Sequence, residues 1–134
     1  MKINLNPNPN PLTDEDRDAK IAAGGFGKYY TDNMVVLEWS EVSGWGEAEL
    51  KAYGPITLDP ATAVFHYGQE IFEGMKAYSQ PDGSISLFRP DANAKRFARS
   101  AARLALPELP IEDFIETVKT LVKQDRKWVP THIG

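Results

Sequence analysis

The residues best suited to chemistry lie in one fourteen-residue stretch, 65–78, which reads FHYGQEIFEGMKAY. Aromatic rings are interspersed there with two glycines, two carboxylates and one lysine. A buried core does not require that many polar groups and glycines. A ligand pocket does combine apolar walls with a few polar groups, and glycine lets the backbone come close to the ligand. The stretch is therefore predicted to form the wall of a small-molecule pocket.

The two carboxylates of this stretch, Glu70 and Glu73, are three residues apart and would share one face of a helix. A glycosidase acid pair needs two carboxylates about 5 to 9 Å apart on opposite sides of a cleft. Because two neighbours on one turn do not span a cleft, we expect one of them to be solvated and the other to form local hydrogen bonds.

Two further residues of the stretch leave alternatives open. Lys76 could form a Schiff base with a carbonyl compound, or it could lie at a strand edge as a charge partner. His66 and His132 are the only two histidines of the sequence, which is too few for a cluster of histidine metal ligands. A single histidine beside aromatic residues is more often packed or hydrogen-bonded than catalytic, and we expect no metal site.

Three arginines, Arg96, Arg99 and Arg103, follow the i, i+3, i+7 spacing of one helix face. Such a row is usually a solvated face. The alternative is anion recognition, because an arginine in the first turns of a helix can hold a phosphate through its fork of N–H donors. The sequence contains neither GxGxxG nor a Walker motif, so it does not support a nucleotide-binding loop.

Composition narrows the class of protein. The chain has 134 residues, a one-domain length, and its net charge of −4 disfavours nucleic-acid binding. It has no cysteine, which excludes disulfides, thiolate zinc sites and cysteine nucleophiles. The first ten residues are polar rather than a secretory signal, and no apolar run reaches the roughly 18 residues of a membrane span. We therefore expect a cytoplasmic protein.

The elements that would position these residues follow from local signals. Residues 1–12, with three alternating prolines, predict an extended arm, and Thr13 predicts the N-cap of a short helix that ends at Gly24. The apolar run 34–39 predicts a buried strand, and a turn is expected within residues 42–46. A further extended segment is expected over 49–58.

The second half changes from strand to helix signals. The sequence Pro-Asp-Gly at 81–83 predicts a hairpin between segments 74–80 and 84–88. Helices are then predicted from Pro90 and from Ile111. Strands first and helices last indicate an α+β fold with two layers, a mainly antiparallel sheet packed by helices on one face. We divide the chain into an arm with a short helix, 1–25, and a small α+β domain, 26–134.

FHYGQEIFEGMKAY, followed by SLFRPDANAKRFARSAARLALPELP, closely resembles the branched-chain amino acid aminotransferases, which belong to fold type IV of the enzymes that use pyridoxal 5′-phosphate (PLP). The resemblance runs from Phe26 to Pro130, about four-fifths of the chain. D-amino acid aminotransferase and aminodeoxychorismate lyase share the architecture but match these motifs less well.

The resemblance implies roles for individual residues. Arg96 matches the arginine that contacts the PLP phosphate, whereas Arg99 and Arg103 gain no role. Tyr67 matches a tyrosine at the substrate pocket that reaches the site of the other subunit of a homodimer. Lys76 matches a basic residue near the pocket and not the Schiff-base lysine. The residues implied in substrate binding are Phe26 (with Tyr30 as the competing position), Tyr67, Phe72, Gly74 and Lys76.

The resemblance also implies a function for the whole protein, the transfer of the α-amino group of leucine, isoleucine or valine to 2-oxoglutarate in branched-chain amino acid biosynthesis. The chain corresponds to the N-terminal domain of such an enzyme. The Schiff-base lysine belongs to a C-terminal cofactor domain that is absent from these residues, so we expect no catalytic residue here and no activity from the chain alone. The alternatives are another fold type IV activity, or a non-catalytic binding or dimerisation module.

Overall fold

The computed structural model describes residues 1–131, and His132 and Gly134 therefore lie outside the described residues. The α+β class predicted from the sequence is confirmed. The helices are α1 (Asp14–Ala23), α2 (Ala63–Tyr67), α3 (Pro90–Arg103) and α4 (Ile111–Gln124), followed by a 3₁₀ turn (Arg126–Trp128). The strands are β1 (Ile3–Asn6), β2 (Asn33–Val36), β3 (Trp39–Ser40), β4 (Gly44–Trp45), β5 (Ala48–Ala52), β6 (Ala77–Ser79) and β7 (Ile85–Leu87).

The largest sheet has three strands in the order β1–β5–β2. The central strand β5 pairs antiparallel with β2 and parallel with β1, and Leu50 lies opposite Val35 on one side and Leu5 on the other. Ala48 and Leu50 are fully buried, which places the core on one face because alternate residues of a strand share a face. The arm predicted for residues 1–12 contains β1 and bends at residues 9 and 10, and β1 adds one parallel pair to sheets that are otherwise antiparallel.

The buried strand predicted for residues 34–39 was wrong in extent. β2 ends at Val36, and Trp39 belongs to the two-residue strand β3, which pairs with β4. Gly44 begins β4 with a φ of 68°, which confirms the turn predicted within residues 42–46. Trp39 is 45% exposed. Apolar residue types indicated a strand here but not the point at which the chain leaves the sheet.

Local signals predicted α1, α3, α4 and the hairpin correctly. Oγ1 of Thr13 accepts a hydrogen bond from the backbone N–H of Asp16 at 3.1 Å, and α1 ends at Gly24. β6 and β7 form an antiparallel hairpin, and Gly83 in its turn has a φ of 80°. Pro90 is the first residue of α3, where its missing N–H leaves no helical hydrogen bond unmade.

The helical layer is formed by α3 and α4. The rings of Phe97 and Phe114 lie 5.2 Å apart between centroids and join the two helices. Ala94 and Ala101, seven residues apart on α3, are almost completely buried. α4 also packs against β2 and β5, so it connects α3 to the sheet. No helix within residues 1–131 combines the length and the apolar character that a membrane span needs.

A group of polar residues, which we call the Asp125 cluster (Asp32, Asn33, Asp125 and Trp128), joins the end of α4 to the start of β2; Asn33 and Asp125 are buried, and the other two are half-buried. Oδ2 and Oδ1 of Asp125 accept hydrogen bonds from the backbone N and from Nδ2 of Asn33, at 3.0 and 2.5 Å. Nε1 of Trp128 donates to Oδ2 of Asp32 at 2.7 Å. These bonds link residues more than 90 positions apart and hold the helical layer against the sheet.

Candidate functional site

The predicted pocket wall is a short helix followed by a segment without regular structure. α2 ends at Gly68, whose φ of 57° is left-handed and turns the chain away from the helix axis. Residues 68–76, which we call the wall segment, then lie along α3. Nε2 of Gln69 donates to the carbonyl of Leu104 at one end of α3, and Nδ2 of Asn93 donates to the carbonyl of Gly74 near the other.

These two hydrogen bonds fix the direction of the wall segment. Eleven residues of helix separate Asn93 from Leu104, a distance of about 16 Å. The five-residue step from Gln69 to Gly74 reaches at most about 17 Å when extended. The wall segment therefore runs antiparallel to α3 over most of the helix, which brings Glu73 and Gly74 of the segment and the first turns of the helix into one site.

The centre of the site is the Glu73–Arg96 cluster, formed by Glu73, Gly74, Asn93 and Arg96. Nε of Arg96 donates to Oε2 of Glu73 at 2.7 Å, and Nη2 donates to Oε1, so that the guanidinium and the carboxylate are paired through two parallel bonds. Oε1 also accepts from the backbone N of Gly74 and from Nδ2 of Asn93, each at 3.0 Å. The Glu73 side chain is only 4% exposed, whereas that of Arg96 is 60% exposed.

The electrostatics of the cluster keep Glu73 ionised. Hydrogen bonds from the Arg96 guanidinium lower the pKa of Glu73 from 4.5 to about 2, with smaller contributions from Asn93 and the Gly74 N–H, although burial acts in the opposite direction. The same pairing raises the pKa of Arg96. Glu73 is thus a buried carboxylate that remains charged across the physiological pH range and does not serve as a proton donor there.

Sequence reasoning missed the pairing of Glu73 with Arg96 and gave no role to Asn93. The expectation for the two acids is confirmed in its outline, because Glu70 is exposed and Glu73 bonds to the adjacent backbone N–H. The contact to α3 was missed. A signal was present in the helix, since Asn93 and Arg96 are three residues apart and therefore share a face.

The aromatic residues predicted to line the pocket are on the surface of the described chain. Phe72 is 81% exposed and Tyr67 is 85% exposed. A Cβ at Gly74 would lie 3.4 Å from Cζ of Phe72, so the Phe72 ring covers the backbone beside the Glu73–Arg96 cluster. Phe26 is 98% exposed on the loop after α1, and among residues 1–131 no ring contact or hydrogen bond joins its side chain to the others.

The structure brings Phe72, Gly74 and Arg96 together but does not join the other predicted residues to them. Lys76 is exposed immediately before β6, and within the described part of the chain it has no ion pair. His66 is hydrogen-bonded as predicted, with Nε2 at 2.7 Å from the carbonyl of Pro60. Arg99 and Arg103 are exposed, as a solvated face requires. Residues 1–131 contain no group of three or more histidine or acidic side chains suited to a metal ion.

Arg96 fits the role of a phosphate anchor for PLP. A guanidinium has five N–H donors, and the two bonds to Glu73 leave three of them, two on Nη1 and one on Nη2. Within residues 1–131 no other hydrogen bond uses these three donors, and the side chain is open to solvent. Two adjacent N–H groups on the free edge match two oxygens of a phosphate.

Comparison with known proteins gives a consistent set of relatives. The chain is 53% identical over 98% of its length to a probable branched-chain-amino-acid aminotransferase of Streptomyces coelicolor. It is 55% identical over 95% of its length to the branched-chain-amino-acid aminotransferase of Mycolicibacterium smegmatis, and 47% identical over 82% to branched-chain-amino-acid transaminase 1 of Bacillus subtilis. No protein-family model matches the chain. It covers 36%, 33% and 31% of those three proteins, so it spans about a third of the length of the curated relatives it matches.

Proposed function

The chain is homologous over nearly all of its length to part of the branched-chain-amino-acid aminotransferases, and we propose that it supplies one wall of the substrate and cofactor site of such an enzyme. The whole protein would transfer the α-amino group of leucine, isoleucine or valine to 2-oxoglutarate. The observation that carries this proposal is the identity of 53% to 55% over at least 95% of the chain.

In this proposal Arg96 holds the phosphate of PLP. Support comes from the three N–H donors that the Glu73 pairing leaves at the exposed end of its guanidinium. When bound, PLP supplies the electron sink for chemistry at the α-carbon of the amino acid. Arg96 fixes one end of the cofactor against the wall segment, so the position of the reactive end depends on how firmly this side chain is held.

The wall segment would bind the aliphatic side chain of the substrate. Phe72 presents an apolar ring, and Gly74 lets a substrate approach the backbone next to Arg96. We assign Phe26 to the same wall, Tyr67 to the site of the second subunit of a homodimer, and Lys76 to the polar margin of the pocket. Rings this exposed have little to pack against in the described residues, which suits surfaces that a substrate, a second subunit or a further domain covers.

We further propose that the lysine that carries the cofactor lies outside these 134 residues, in a C-terminal domain. The direct test is a chimaera in which this chain replaces the matching third of the Mycolicibacterium smegmatis enzyme. With added PLP, we expect the chimaera to produce glutamate from 2-oxoglutarate and leucine, isoleucine or valine. A folded chimaera that binds PLP but acts on D-alanine instead would favour the alternative fold type IV activity.

The chain alone provides the complementary measurement. Incubated with PLP, leucine and 2-oxoglutarate, it should form no glutamate above the rate of PLP in buffer, since it would lack the lysine that binds the cofactor. Turnover at ordinary enzyme rates by the chain alone would contradict this part of the proposal. A chimaera that folds and binds neither PLP nor substrate would support a non-catalytic binding module instead.

A further inference from the structure

The Glu73 carboxylate is buried and hydrogen-bonded within the chain, which leaves little of it accessible to a ligand. Its two oxygens accept four hydrogen bonds, from Arg96 twice and from Asn93 and the Gly74 N–H once each. Three of these bonds end on Oε1 and one ends on Oε2, so Oε1 is fully used and Oε2 keeps one of its two lone pairs. The side chain is 4% exposed, and burial of a charge is tolerated only when it is paired and hydrogen-bonded in this way. Whatever Glu73 does, it does through its neighbours rather than by touching a substrate.

Arg96 is the neighbour that depends most on Glu73. Its side chain is long, 60% exposed and free of any other described partner within residues 1–131, so without Glu73 it would sample many rotamers. The carboxylate occupies the Nε–Nη2 edge of the guanidinium. The opposite edge, which carries Nη1, is left to face the solvent.

Asn93 extends this arrangement to the pocket wall. Its Nδ2 donates both to Oε1 of Glu73 and to the carbonyl of Gly74, each at 3.0 Å. Asn93 and Arg96 lie on the same face of α3, one turn apart. The orientation of the Arg96 guanidinium is therefore tied to the helix and to the backbone of the wall segment at the same time.

We propose that Glu73 is a positioning residue that holds the Arg96 guanidinium with its Nη1 edge toward the cofactor phosphate. This inference rests on the proposed function, because it takes PLP as the ligand. For the affinity of the site for a phosphate, the inference predicts a change opposite to the one that charge alone would produce. Removing a negative charge beside Arg96 would strengthen anion binding if charge alone mattered, but it weakens phosphate binding if the carboxylate serves to orient the donors.

The experiment measures the dissociation constants of PLP and of pyridoxal, which lacks the phosphate, for the full-length apo-protein that carries this chain. The ratio of the two constants isolates the phosphate contribution. We expect Glu73→Gln to lower the preference for PLP over pyridoxal by roughly tenfold, which corresponds to about 1.4 kcal/mol. The matched control is Glu70→Gln, which removes the same charge from an exposed position three residues earlier and should leave the ratio unchanged.

A double-mutant cycle separates positioning from a general structural role. Arg96→Ala should abolish most of the preference for PLP, and Glu73→Gln added to Arg96→Ala should reduce the ratio no further. Glu73→Asp keeps the charge on a shorter side chain and should lower the preference for PLP over pyridoxal less, by about threefold. It replaces Glu73→Gln in the experiment if that variant does not fold. A purely structural role would weaken PLP and pyridoxal equally.

The outcomes distinguish the inference from the proposed function. If the wild-type protein binds neither PLP nor pyridoxal, the proposed function fails and the inference fails with it. If the wild-type protein prefers PLP and Glu73→Gln keeps or increases that preference, the inference alone is overturned. A loss confined to PLP, absent in Glu70→Gln and absent in the Arg96→Ala background, establishes Glu73 as the positioning residue.

Discussion

Glu73 and Asp125 are both buried carboxylates, but they are held by different kinds of partner. Asp125 is 7% exposed and accepts its side-chain hydrogen bonds from Asn33, which is 5% exposed. Glu73 accepts from Arg96, whose side chain is 60% exposed. The donors and acceptors of the Asp125–Asn33 pair are buried, whereas the Glu73–Arg96 pair leaves N–H donors of the guanidinium exposed to solvent. A buried acid alone therefore does not mark a site; the exposure of its partner does.

The largest effect on stability is expected from Asp125→Ala. The substitution leaves the backbone N–H and Nδ2 of Asn33 buried without an acceptor, and it should lower the free energy of unfolding by about 3 kcal/mol. Denaturant titration measures it. Glu116→Ala, at an exposed position of the same helix, is the control and should change stability by no more than about 0.5 kcal/mol.

The same variant also tests whether the Asp125 cluster affects cofactor binding. Under conditions in which Asp125→Ala remains folded, its preference for PLP over pyridoxal should equal that of the wild-type protein, because no bond of the Asp125 cluster reaches Arg96 in the described residues. A selective loss of PLP binding would show that the Asp125 cluster and the Glu73–Arg96 cluster are coupled, and it would contradict a purely structural role for the Asp125 cluster.

A smaller effect, dependent on pH, is expected from Glu73. Its pKa is about 2 in the folded chain and near 4.5 when unfolded, so its contribution to stability is complete above pH 4.5 and is lost as the pH falls toward 2. Because Arg96 is largely solvated, we expect a contribution of about 1 to 2 kcal/mol rather than the full value that the shift would give. Glu73→Gln should destabilise the chain at pH 6.5 and much less at pH 3.

Urea unfolding of the wild-type chain and of Glu73→Gln at the two pH values measures this difference. Glu70→Gln again serves as the control, since its carboxylate is exposed and has no ion pair in the described residues. An equal penalty for Glu73→Gln at pH 6.5 and at pH 3 would mean that shape, and not the charge of Glu73, is what the cluster requires.

The smallest effect is expected from Arg99→Ala. Arg99 is exposed on α3 three residues after Arg96, and no described hydrogen bond or ion pair engages it in residues 1–131. We expect a change in stability within about 0.5 kcal/mol and no change in the preference for PLP, in contrast to Arg96→Ala. If both variants lose that preference equally, phosphate binding reflects the general charge of the helix rather than the positioned guanidinium of Arg96.

Elements with strong local signals were predicted well from the sequence. α3 begins at Pro90, α4 follows its apolar spacing, and the turn with Gly83 forms the predicted hairpin. Each of these depends on dihedral preferences and side-chain periodicity within a few residues. The one-turn helix α2 and the early end of β2 were not predicted, because short elements are decided by the packing around them.

The site was predictable only in part for a related reason. Residue types and the resemblance to aminotransferases identified Arg96, Phe72 and Gly74, and the structure places these three close together. No local pattern indicated that Glu73 pairs with Arg96, since the two residues are 23 positions apart and a hairpin lies between them. The functional roles of Arg96, Phe72 and Gly74 stay predictions, as do those of Phe26, Tyr67 and Lys76.

The helices α1, α3 and α4, the hairpin and the similarity to the branched-chain-amino-acid aminotransferases can be read from the sequence, because each is encoded in local spacing or in direct residue identity. Three features become visible only in the folded chain: β1 pairs with β5 in parallel, the wall segment lies along α3, and Glu73 is buried against an exposed arginine. Those features depend on contacts between distant residues, whose energies are set by burial and hydrogen-bond geometry and not by the types of neighbouring residues.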